Sequence, residues 1–213
     1  MSQHIVLLGD SIFDNKSYTS GEPDVVTHLS GYLPGGWQAT LLANDGDVTN
    51  DIPDQAKRIP ADASQLVVSV GGNDALGSLP ILQEPVRSIA EGLELMSEQS
   101  RRFEADYRNA VTAVLRRGFP TTICTIYYGN FPDPLTQRIT RQALTMYNDV
   151  IIRVALDHGL PVIDLRLVCT EPGDYFNPIE PNGPGGKKIA LAIAHAVGAM
   201  DASTQRSVIW GGE

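Results

Sequence analysis

Three short stretches of this chain, Gly9-Asp10-Ser11, Asn44-Asp45-Gly46-Asp47 and Gly71-Gly72-Asn73-Asp74, each follow an apolar run of the kind that makes a buried strand. They would put a hydroxyl, an amide and several carboxylates just beyond the carboxyl ends of strands, where open parallel sheets bind and transform ligands. Gly, Asn, Asp and Ser are equally the residues of strand-end turns, so each stretch taken singly reads as a turn or as part of a site.

The elements that must carry these stretches follow from periodicity. Apolar runs bounded by Gly, Asn, Asp or Pro begin at Ile5, Trp37, Leu66, Thr121 and Pro161, and read as buried strands. Between them, apolar residues recur at steps of three and four. The longest such helix carries Val86 to Leu115, opened by Pro85 and closed by Arg116, Arg117 and Gly118. A second starts at Asp133-Pro134 and ends at Gly159, a third covers about Gly185 to Met200, and shorter helical patterns follow Gly21 and Asp51. Alternating strands and helices imply a parallel α/β sheet covered on both faces.

Taken together the three stretches resemble the SGNH, or GDSL, hydrolase family. The blocks "GDSIFDN" with Ser11, "ANDGD" with Gly46 and "VGGND" with Asn73 stand in the family's order. The resemblance implies a three-layer αβα, flavodoxin-like fold with a five-stranded parallel sheet. It also implies hydrolysis of an ester or thioester through an acyl-enzyme on Ser11. Backbone N–H groups of Ser11 and Gly46, with the Asn73 amide, would hold the oxyanion. Asp10 would tie the turn that holds Ser11, and Asp74 reads as a helix N-cap.

The fourth block departs from the family, which has Asp, two residues, then His before Pro. Here it reads Asn177-Pro178-Ile179-Glu180-Pro181, with Asn for Asp and Glu for His. The two changes fit each other chemically. A histidine base becomes a cation that an Asp stabilises, whereas a glutamate base becomes neutral and is better served by an Asn that donates a hydrogen bond. Glu180 is thus the expected base and Asn177 its orienting partner. Of the histidines, His4 begins the first strand, His158 ends a helix and His195 lies inside one; only His28, on the helix after the Ser11 loop, is an alternative base. The same departures also suit a decayed site, a module that holds an ester, glycan or peptide without turnover. Phe13, Tyr18, Tyr127, Tyr128 and Phe131 fall near the expected site, as pocket walls or as core. Short acyl chains are expected to be preferred, because the chain has little length left for a lid or a long tunnel.

Composition narrows the partners. With 213 residues, 42% hydrophobic and 19% charged, the chain suits one domain, read as 1–202 with a tail over 203–213 that could pack through Trp210. A net charge of -9 argues against nucleic acid and favours a small neutral or cationic ligand. The first residues lead directly into a strand and no apolar run is long enough to span a bilayer, so no stable membrane insertion and a cytoplasmic location are expected. Cys124 and Cys169 read as reduced thiols, and no cluster suggests a metal or another cofactor.

Overall fold

A computed structural model describes residues 2–200; the tail and Trp210 lie outside them. Five strands are present: β1 (His4–Gly9), β2 (Gln38–Leu41), β3 (Gln65–Ser69), β4 (Thr121–Cys124) and β5 (Val162–Ile163). They form one sheet in the order β2-β1-β3-β4-β5, every pair parallel. The chain runs outward one way from β1 to β2, then reverses to β3, so a switch point lies at the carboxyl end of β1, directly under Ser11.

Among the described residues six α-helices accompany them: α1 (Val25–Tyr32), α2 (Ile52–Lys57), α3 (Gly72–Gly77), α4 (Ile89–Leu115), α5 (Pro134–Asp157) and α6 (Gly183–Ala196). α1 and α6 cover one face, where Leu29, Ile189 and Ile193 meet Ile5 and Leu7. α2, α4 and α5 cover the other, where Ile52, Tyr107 and Ile151 meet Val6 and Leu8. Alternate β1 residues therefore point into two cores, which is why the strand is apolar without interruption.

The ends differ from the sequence reading in places. α4 starts at Ile89, capped by the Ser88 hydroxyl accepting from Glu91 N at 3.1 Å, so Pro85 stands outside it. The glycines of "GGND" concealed α3, which begins at once after β3 with Gly71 at φ +118° in place of a side-chain cap. Asp74 therefore sits in the first turn of α3 and is not its N-cap. Its carboxylate instead accepts from the Thr49 hydroxyl at 2.6 Å and the Thr49 N–H at 3.1 Å. Cys124 and Cys169 are free and buried.

Candidate active site

The turn after β1 is shaped by a glycine. Gly9 has φ +141°, and a Cβ there would lie 1.8 Å from the Ser69 carbonyl oxygen, so only glycine lets β1 and β3 close at this point. The following Asp10 Oδ1 accepts the Ile12 N–H at 3.1 Å, folding the backbone around Ser11. Ser11 is left buried, facing a cavity of about 80 Å³ that it shares with Asp10, Asn73 and Glu180.

Side chains that the sequence did not single out hold the loops together. Gln55 is buried on α2; its Oε1 accepts the Gly9 N–H at 2.8 Å, and its Nε2 donates to the Gly9 carbonyl and to Asp47 Oδ2, both at 2.7 Å. Asn15 accepts the Val25 N–H at 3.0 Å and donates to the Pro181 carbonyl at 3.1 Å, fastening the Ser11 loop to the Glu180 loop. Asn148 grips both backbone groups of Ile126, fixing the chain beyond β4. At Gly129, φ +68° and a hypothetical Cβ 2.6 Å from the Pro178 carbonyl bring that segment onto the Glu180 loop. Composition cues had no purchase here, because a buried amide is recognised only by the distant backbone it satisfies.

Asn73 opens α3 and donates through Nδ2 to the Asp47 carbonyl at 2.9 Å, joining the second and third blocks. Gly46, exposed at φ +89°, lies on that adjoining loop and outside the cavity lining. Asn177 Oδ1 accepts the N–H groups of Ile179 and Glu180, each at 2.9 Å. These bonds run opposite to the donated one expected of Asn177, and they position Glu180 through its backbone. Among the histidines, His4 bonds Thr40 at the far end of β1, and His28 on α1 does not line the cavity.

Two acids at the site hold their protons unusually well. Burial raises the Asp10 carboxyl to about 8, with the neighbouring charges of Glu180 and Asp74 adding to the rise and the Ile12 N–H opposing it. Burial also raises Glu180 above the usual carboxylate range; interaction with the Ser11 hydroxyl works against this, and the Asp45 charge works with it. Glu180 Oε2 and Asp10 Oδ2 are buried without a partner. No group of three or more His, Cys, Asp and Glu among the described residues could hold a metal.

The rest of the cavity is apolar, walled by Leu76 of α3, Leu79 and Ile81 beyond it, Met96 of α4, and Leu144 and Tyr147 of α5. Tyr127, Tyr128 and Phe131 also line it, whereas Phe13 is wholly buried in the α1/α6 core. A serine and a carboxylate at a switch point, beside an amide and an apolar chamber, can carry acyl transfer.

The family model of GDSL-like lipases and acylhydrolases matches residues 7–186. The chain belongs to that family. Solved structures agree on the SGNH hydrolase fold at low identity. An extracellular lipase from Streptomyces rimosus is 16% identical with TM-score 0.63, covering 91% of this chain and 99% of its own. A phospholipase A1 from Streptomyces albidoflavus is 14% identical with TM-score 0.69, over 92% and 100%. A catalytic mutant of the acetylxylan esterase Axe2 from Geobacillus stearothermophilus is 17% identical with TM-score 0.65, over 92% and 94%. No curated protein matches the sequence.

Proposed function

We propose that this GDSL-like hydrolase is a serine esterase for small acyl esters, with Ser11 as nucleophile and Glu180 as base. The observation that carries the reading is the pairing, in one cavity, of Ser11 with a buried glutamate whose proton affinity is raised and which Ser11 itself influences. Raised basicity is what a carboxylate needs to replace imidazole, since an unperturbed Glu near 4.3 lies about two pKa units below His near 6.5.

Glu180 accepts the proton as Ser11 Oγ bonds to the ester carbonyl carbon. The oxyanion forms against the N–H groups of Ser11 and Gly46 and the Asn73 amide, which exchanges its Asp47 bond for the ligand. The alkoxide leaves with the proton from Glu180, and water then attacks the acyl-enzyme by the same route in reverse order. Asp10 carries its own proton at neutral pH and so adds little repulsion to Glu180. The cavity of about 80 Å³ is smaller than the roughly 150 Å³ that accommodates benzene in an apolar core, which suits short acyl groups.

Hydrolysis of chromogenic esters of rising acyl length tests this. Wild type should favour the shortest chains, and both Ser11→Ala and Glu180→Gln should lose roughly a hundredfold or more in kcat with the fold intact by circular dichroism. Glu180→Gln at the wild-type rate would overturn the assignment of the base. No hydrolysis by wild type would leave a binding module.

A further inference from the structure

The donors proposed for the oxyanion leave the cavity thinly supplied. The Asn73 amide is engaged by the Asp47 carbonyl at 2.9 Å, and Gly46 is exposed and stands outside the cavity lining. Beside Ser11 the wall holds another polar group, the carboxyl of Asp10, a residue only 1% exposed. Its Oδ1 accepts the Ile12 N–H at 3.1 Å, so the turn uses one half of that group. Oδ2, the other half, is buried and has no partner among the described residues.

The place of Oδ2 is fixed from two strand ends. Asp10 directly precedes Ser11 beyond β1, and Gly72 directly precedes Asn73 beyond β3. A Cβ on Gly72, which also lines the cavity, would stand 3.6 Å from Oδ2. Oδ2 thus lies where the loop of the nucleophile meets the helix of the amide. Negative charge on an oxygen buried without a donor is costly, and burial accordingly raises the Asp10 carboxyl to about 8. The titratable groups around it are Asp74 of α3, Glu180, Cys124 of β4 and Tyr127 beyond β4, and none of them is a cation. A carboxyl kept neutral by its surroundings has an O–H to give, and an incoming oxyanion is the acceptor that this O–H lacks.

We propose that Asp10 is a catalytic residue, whose Oδ2–H donates a hydrogen bond to the ester carbonyl oxygen as that oxygen becomes an oxyanion. The inference rests on the esterase reading and adds a donor to it. As Ser11 Oγ bonds to the carbonyl carbon, the π pair of the C=O bond moves onto oxygen, and the Asp10 O–H stabilises that charge without giving up its proton. When the C–O bond to the leaving group breaks, the pair returns to the carbonyl and the hydrogen bond weakens. The proton that moves is that of Ser11, through Glu180 to the departing alkoxide.

The test follows the Asp10 carboxyl by infrared difference spectroscopy while a short-chain trifluoromethyl ketone adds to Ser11 and leaves an oxyanion where its carbonyl was. Wild type should show a protonated-carboxyl stretch that shifts to lower frequency in the adduct. Asp10→Asn, which keeps the bond from Ile12 N–H and so the turn, should lack that band. A carboxyl that only ties the turn would not respond to the ketone. On a short ester, kcat of Asp10→Asn should fall roughly tenfold with KM little changed, because an amide is the weaker donor. The wild-type kcat should also decline as Asp10 ionises, around pH 8, and this limb should be absent from Asp10→Asn. Ester hydrolysis with an Asp10 band that the ketone leaves in place would overturn the inference and leave the esterase standing. A wild type that neither cleaves esters nor forms the adduct would overturn both.

Discussion

Asn73 couples two parts of the site, because the amide that would hold the oxyanion is bonded to the Asp47 carbonyl when no ligand is present. Asn73→Ala should therefore lower kcat by about a hundredfold to a thousandfold while KM changes little, measured by steady-state kinetics on a short ester. With Glu180 as the proposed base, the pH response follows its ionisation. A base must be ionised to act, and burial lifts the Glu180 pKa, so activity should rise with pH through a limb displaced above the ordinary carboxylate range. A pH profile of kcat/KM should show that acidic limb, displaced upward from where an unperturbed glutamate would place it. Asp10, next in sequence to Ser11, is raised to about 8 by burial and in part by the Glu180 charge, so the two carboxyl groups titrate as a coupled pair.

The loops are held by amides that reach across the sheet. Gln55→Leu removes three hydrogen bonds at once and takes from the Gly9 N–H its side-chain acceptor, while the Gly9 carbonyl keeps the Asn44 N–H at 3.1 Å. A loss of about 3 kcal/mol in urea unfolding is expected, together with a fall in kcat that exceeds any change in binding. The long helix α4 divides differently. Its buried side chains, Phe103, Tyr107, Ala110, Val111 and Val114, lie in its second half, while Ile89 and Leu93 near its start are 84% and 64% exposed. Amide hydrogen exchange should show the first three turns opening well before the rest. Those contrasts also mark what the sequence could reveal. Continuous apolar runs announced β1, β3 and β4, and the 3.6-residue period announced α4 and α5, because burial on a face leaves a local pattern. Ser11, Gly46 and Asn73 stood out because strand ends are local too. Gln55 and Asn15 did not, since their partners lie 46 and 166 positions away and nothing nearby in the chain reports them. α3 was hidden because glycines read as a turn, and only the tertiary contacts turn them into a helix start.

Taken as one folding unit, the protein gathers three carboxyl groups whose pKa values burial raises, Asp10, Asp74 and Glu180. Between the unfolded value of 3.8 for Asp10 and its folded value of about 8, the native state binds more protons than the unfolded chain. Stability should therefore decline as pH rises through that window. Thermal unfolding followed from pH 4 to pH 8 should show a falling Tm, and Asp10→Asn, which keeps the bond from Ile12 N–H, should flatten the slope. The same molecule is closed by a tie of long reach: Asn15, wholly buried, is satisfied by the Pro181 carbonyl, and α1 packs on α6. On the ribosome, Asn15 emerges early and its partner only after some 166 further residues. At about 5–20 residues per second this leaves the nascent chain for roughly ten to thirty seconds with an unpaired amide and one sheet face only partly covered. During that interval the β1 surface that α6 will cover is open to chaperones and to other nascent chains.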